Sequence, residues 1–169
     1  GRVLPMGFRA WVAAQRHMGF EMDPRELTDD ETVTLKKATR WYRDNRDFLF
    51  AADLYRLESN DPEVVAECFV DADASRFVLF RGQAGASAPI AARPFALAGL
   101  DASALYEIRL VNPEDVTPKL NRYPANALLE GETLRLSGAA LMNGALRAPN
   151  AFPATMMVFE GRRLEKEGI

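Results

Sequence analysis

The chain has 169 residues, 48% of them hydrophobic and 27% charged, a balance that fits a globular domain and excludes wholesale disorder. Its 21 basic and 24 acidic residues leave a net charge of −3 and a pI near 5.3. That is too acidic for a nucleic-acid binder that works by neutralising phosphates. No uninterrupted apolar run exceeds five residues, whereas a membrane-spanning helix needs ~18 or more. A complete (β/α)8 barrel needs ~200 residues or more and does not fit either. One cysteine, Cys68, allows no internal disulfide and no thiolate zinc cage, and one histidine, His17, restricts nucleophilic triads to a single base. The chain starts Gly1-Arg2-Val3 without a recognisable signal peptide, which reads as an excised or processed segment; a cytoplasmic location is the expectation.

In chain order, Phe8 to Arg16 has apolar residues at helical spacing. His17 to Met22 reads as a short strand, and Asp23-Pro24 interrupts regular structure because the residue before proline is pushed out of the α region. Thr28-Asp29-Asp30-Glu31 is a capping box with further acids in the first turn. The helix it opens should run to about Ala51, with Leu35, Ala38, Trp41, Tyr42, Phe48 and Leu49 on an apolar stripe. Arg40/Asp44 and Arg43/Asp47 are i,i+4 opposite-charge pairs on its other side.

Beyond Leu57 the pattern becomes short apolar runs between turns. Strands are expected over residues 65–70, 76–81, 94–97, 106–110, 134–136 and 155–160, punctuated by turn clusters such as Asp73-Ala74-Ser75 and Glu130-Gly131-Glu132. The consecutive Phe77-Val78-Leu79-Phe80 calls for a strand covered on both faces. The expected fold is therefore α+β. Residues 1–57 would be a helix–strand–helix unit, 58–164 a Greek-key-like antiparallel β-sandwich, and 165–169 a charged tail. A lone strand between two helices has no sheet to join, which is how the end of a parallel β/α array looks after cutting.

An ordered series carries a family resemblance. His17-Met18-Gly19-Phe20-Glu21-Met22-Asp23-Pro24, the capped helix, Leu54-Tyr55-Arg56-Leu57 and Leu136-Ser137-Gly138-Ala139-Ala140-Leu141-Met142-Asn143 together resemble the C-terminal end of bacterial α-galactosidases of the melibiase, raffinose-hydrolysing type. The resemblance spans about residues 5–159. It departs from the family at Gln15-Arg16, where Phe-Gly is more usual, and at Gly144-Ala145-Leu146, where Val-Gly-Leu is usual. It implies that residues 1–57 end a catalytic (β/α)8 barrel and that the remainder is the sandwich following it. It also implies a retaining glycoside hydrolase acting on α-galactosides, which needs two carboxylates ~5–5.5 Å apart across the scissile bond. The family places both upstream of residue 1, so no catalytic residue maps onto this chain. No cofactor or metal is called for, and a homo-oligomer is a further expectation.

Glu21 and Asp23 are the in-chain candidates for a substrate-binding rim. On a strand they would share one face, ~6.6–6.8 Å apart, at the C-terminal end of a barrel strand where such folds place their sites. Two carboxylates pointing one way cannot bracket a sugar bond, so the competing structural reading has Asp23 organising the turn and Glu21 pairing with an arginine. His17 reads as a hydrogen-bonded core residue, since neither an orienting partner nor a nucleophile is at hand. Cys68 reads as a small buried strand residue. The series Lys36, Lys37, Arg40, Arg43, Arg46 reads as a solvated helix face, and Trp11, Trp41 and Tyr42 as core rather than sugar-stacking platforms. Gly82 to Ser87 precedes no helix and is no phosphate cradle. The alternative function is a stand-alone carbohydrate-binding β-sandwich module, and a third reading is a purely structural or oligomerisation domain.

Overall fold

The computed structural model describes residues 3–87, 94–117 and 126–165. The ends of the loop expected over Gly82–Pro89 and of the charged tail, residues 88–89 and 166–169, lie outside the described residues. Helix α1 spans Met6–Ala13 and helix α2 Asp29–Ala51. Strands β1 (Asp53–Leu57), β2 (Val64–Val70), β3 (Arg76–Gln83), β4 (Leu105–Leu110) and β5 (Leu134–Ser137) follow, then helix α3 (Gly138–Met142) and strand β6 (Thr155–Arg163).

The capping box forms as its residue types require. The Glu31 N–H donates to Thr28 Oγ1 at 3.2 Å, and the Thr28 N–H donates to Glu31 Oε2 at 3.0 Å. Three acids in the first turn complement the helix dipole. The helix stops where Ala52 leaves the α region and the chain enters β1. Leu54-Tyr55-Arg56-Leu57, assigned from the sequence to the helical part, is thus an edge strand of the sheet and pairs with β2 from Asp53↔Val70 to Leu57↔Ala66.

All six strands form one antiparallel sheet of order β1-β2-β3-β6-β4-β5. The last strand inserts between β3 and β4, so the two ends of the sheet are joined late in the chain. Strand side chains alternate between faces, and both faces are covered. Ala66, Cys68, Val70, Phe77, Leu79, Ile108, Met157 and Phe159 pack under a layer of loops and α3 that contributes Phe95, Leu97, Leu128, Leu141 and Leu146. Phe69, Val78, Phe80, Met156 and Val158 pack on the opposite face against Ala10, Trp11, Ala38, Trp41 and Leu49 of the helices. This two-sided cover explains the unbroken apolar run of β3.

Three expectations change. Among the described residues there is one sheet rather than two facing sheets, because residues 94–97, read as a strand, make a single backbone bond from Leu97 N–H to Leu141 C=O instead of a ladder. The second layer is irregular backbone. Residues 17–22, read as a strand, form no ladder either, since a strand exists only when a neighbour accepts its hydrogen bonds. The helix read over residues 8–16 begins two residues earlier, behind Pro5, and ends at Ala13.

Gly138 opens α3 where a Cβ would collide with the backbone carbonyl of Asp101, while its own N–H donates to Ala104 C=O at 2.9 Å. Backbone cannot yield as a side-chain tip can, so Gly138→Ala should destabilise by about 1–3 kcal/mol, read as a lowered denaturant midpoint. Unchanged stability would show that the α3 turn shifts freely.

Candidate functional site

Asp23 has a structural engagement. It caps the 3-10 turn Pro24–Glu26, its Oδ1 accepting from Arg25 N–H at 2.9 Å, and the Arg25 guanidinium grips both carboxylate oxygens, with Nη2 to Oδ2 at 2.6 Å. The Arg25 side chain, followed by its backbone N–H, holds the Asp23 carboxyl below the usual aspartate range. Glu21 is exposed, and among the described residues the expected arginine pair does not form. Since residues 17–22 are not a strand, the shared face anticipated for Glu21 and Asp23 is absent as well.

These two acids alternate along the chain with Phe20 and Pro24, which line a groove of about 630 Å³ against the outer side of α2. Leu27 and Leu35 add to its floor, and Lys36, Arg40, Arg43 and Asp44 stand along its rim. Phe20 is 45% exposed there. The expected Arg40/Asp44 and Arg43/Asp47 pairs are not made among the described residues; Lys37 instead crosses to Glu114, and Arg46 approaches Asp47 at 3.6 Å. Lys36, Arg40, Arg43 and Arg46 are thus exposed, as their composition indicates, while Lys37 is taken up by Glu114.

His17 is a correction. It is exposed rather than buried, and its ring stacks on Phe50 at 4.9 Å between centroids. Without a strand under it, the residue has no core to enter. Cys68 is fully buried on β2, and burial pushes its thiol well above the ordinary cysteine range. A thiol reagent should therefore titrate no cysteine in the native chain and one after denaturation; rapid native labelling would mean that β2 opens readily.

Of the aromatic candidates, Trp11 and Trp41 are core, and Tyr42 is half-buried against the same cluster. Trp11 is completely buried and donates its indole N–H to Asp115 Oδ2 at 2.6 Å. Burial raises the Asp115 carboxyl above its ordinary value, against the lowering effect of that hydrogen bond. Trp41 meets Trp11 at 5.5 Å and Phe80 at 5.9 Å, both nearly edge to face. The stripe on α2 that the sequence marks as needing cover therefore lies on the sheet. Gln83 ties the glycine-containing loop back through Gly85 C=O and Ser87 Oγ at 2.8 and 2.6 Å.

One polar cluster escaped the sequence reading. Glu160 of β6 is 3% exposed and accepts from Arg76 of β3 at 2.5 Å and from Arg109 of β4 at 2.5 and 3.0 Å. Arg76 also donates to Asn45 Oδ1 of α2 and lies 4.3 Å from the Phe48 ring centroid. Burial raises the Glu160 carboxyl, but the two guanidiniums outweigh it and hold the group below the usual glutamate range. A lone Glu ending the run Met156-Met157-Val158-Phe159 was the only available signal. No cluster of three or more His, Cys, Asp or Glu side chains suited to a metal occurs among the described residues.

The described residues thus form a pair of helices packed on one face of a six-stranded antiparallel sheet. Residues 64–169 match the glycosyl hydrolase family 36 C-terminal domain, and the chain belongs to that family. It is 35% identical over 111 residues to α-galactosidase AgaA of Geobacillus stearothermophilus, covering 64% of this chain and 15% of that protein. It is 27% identical over 150 residues to a probable α-galactosidase C of Aspergillus terreus, covering 88% and 17% respectively. Among solved structures, AgaA in complex with raffinose superposes with a TM-score of 0.75 at 25% identity, over 97% of this chain and 20% of that one. The chain thus spans less than a fifth of the curated relatives it matches. The resemblance read from residues 5–159 is borne out by these matches.

Proposed function

We propose that the chain is the C-terminal segment of an α-galactosidase-like retaining glycoside hydrolase, whose whole form removes terminal α-linked galactose from oligosaccharides. The observation that carries this reading is the superposition of nearly the entire chain on one fifth of a raffinose-bound α-galactosidase. On this reading residues 1–57 include the last helices of the catalytic barrel, and the segment at 17–22 becomes a strand when neighbouring strands supply its ladder. The sheet serves packing and subunit contacts. Glu21 and Asp23 stand beside the groove at the rim rather than at the scissile bond, and catalysis rests on two carboxylates outside this segment.

The test compares two proteins. The product of the full open reading frame should hydrolyse a nitrophenyl α-galactoside, and residues 1–169 alone should not. Turnover by the segment, lost on Glu21→Gln, would overturn the reading. Two of the three aromatic candidates for the carbohydrate-module alternative, Trp11 and Trp41, are buried at the helix–sheet seam. Calorimetric titration with galactosides should accordingly give no heat of binding to the segment.

A further inference from the structure

The short 3-10 turn Pro113–Asp115, which follows β4, is where α1, α2 and the sheet meet. Asn112, fully buried just before it, fixes the turn to β6: its Nδ2 donates to Met156 C=O at 2.8 Å and its Oδ1 accepts from Val158 N–H at 2.9 Å. Glu114 is held by Lys37 of α2. Asp115 Oδ2 accepts the indole N–H of Trp11, on α1, at 2.6 Å. Its other oxygen lies against the first turn of the same helix. A Cβ on Gly7 would stand 2.8 Å from Oδ1, so the missing side chain is what admits the carboxyl there.

Two acids therefore stand in the helix–sheet seam in opposite company. Glu160 is answered by two guanidiniums, whereas half-buried Asp115 makes no ion pair among the described residues. A neutral indole donor offsets only part of what a carboxylate loses when it leaves water. Burial accordingly lifts the Asp115 carboxyl above its ordinary value, and the like charge of Glu114 adds to this. The Trp11 hydrogen bond, the Lys37 ammonium and the Asn112 side chain work the other way without prevailing. Met156 and Val158, where β6 meets Asn112, carry no titrating group.

We propose that the Pro113–Asp115 turn is a pH-sensitive latch on α1: protonation of Asp115 in mild acid tightens the seat of this helix on the sheet, and ionisation toward neutral pH loosens it. Protonated, the carboxyl keeps Oδ2 as the acceptor for Trp11 and no longer draws hydration into the seam. Ionised, it is pulled toward water and Lys37. Its stabilisation is fully present below the unfolded aspartate value of ~3.9 and is lost as pH rises through the higher folded value. Glu160 acts in the reverse sense, so the two acids together place the tightest seam in mild acid. The latch lies wholly within the described residues and stands or falls apart from the proposed function.

The experiment follows the chain and its Asp115→Asn variant from about pH 4 to pH 8 by thermal melting and by the tryptophan indole N–H resonances. Asparagine keeps the shape and the acceptor and removes the charge. At neutral pH the variant should melt about 2–4 °C above the wild type, and the gap should close toward pH ~4. The hydrogen-bonded Trp11 proton is told from that of Trp41, whose Nε1 has no hydrogen-bond partner, by its downfield position. In the wild type it should titrate with a midpoint above ~3.9, and this titration should vanish in the variant. The wild-type titration needs no substitution, so it decides the question even if the variant folds poorly. A variant that melts at or below the wild type at neutral pH would overturn the proposal. So would a Trp11 resonance that titrates at or below the ordinary aspartate value, or one that still titrates in the variant.

Discussion

Glu160→Gln is expected to lower the stability of the chain by about 3 kcal/mol, the lower end of what removing one partner of a buried ion pair costs. Gln fills the same volume, so packing is preserved and the loss isolates the charge. Arg76, with 15% of its side chain exposed, is left facing a neutral amide inside the seam, while Arg109, at 59%, turns to water. At ~2–4 °C per kcal/mol for a domain of this size, the melting temperature should fall by about 6–12 °C. Arg109→Met should cost far less, because its guanidinium is largely solvated already. The pH dependence follows from the depressed Glu160 carboxyl. Its stabilisation is present above the unfolded glutamate value of ~4.3 and is lost as pH falls through the lower folded value. The Gln variant should therefore lose stability less steeply below about pH 4 than the wild type. Equal losses for the Arg109 and Glu160 variants would mean that the Arg76–Glu160 pair contributes nothing.

Trp11→Ala should be the more damaging change, costing about 3–5 kcal/mol by the usual large-to-small core scale. The indole is fully buried, touches Trp41 edge-on, and carries the N–H that satisfies the Asp115 carboxylate. Truncation leaves a void between α1, α2 and the sheet and removes one hydrogen bond from the Asp115 carboxylate. Both tryptophans of the chain sit at this seam, so their fluorescence reports whether the helices leave the sheet. In the 169-residue chain, fluorescence and far-ultraviolet circular dichroism should melt together, because Trp41, Phe80, Arg76 and Glu160 tie helix and sheet into one cooperative unit. A fluorescence transition preceding the loss of sheet signal would show that the helices detach first.

The legible features were those whose causes are local. The capping box at Thr28–Glu31 appears where it was read because its partners are three residues apart. The strand positions of β2 to β6 follow from runs of β-branched and aromatic residues between turns, and the double-sided burial of β3 from its unbroken apolar run. The apolar stripe on α2 announced that something must cover it. Misreadings arose where the outcome depends on a distant neighbour. Residues 17–22 have strand composition but no ladder partner, and residues 94–97 spend themselves on one hydrogen bond to α3. Leu54–Leu57 looked like the tail of the helical part until β2 provided the ladder that makes it an edge strand.

The candidate site divides in the same way. Asp23 at the Asp-Pro turn was readable as a structural cap, since Arg25 lies two residues on. The helix–sheet bracket was not, because Asn45, Arg76, Arg109 and Glu160 come from four separated elements and converge only in the fold. Residue types and short spacings therefore settled helix, strand and turn propensities and the family resemblance. Long-range packing settled which apolar run found a partner, which charge was buried, and which face of α2 stayed open, because hydrogen-bond ladders and desolvated ion pairs exist only between segments that folding brings together.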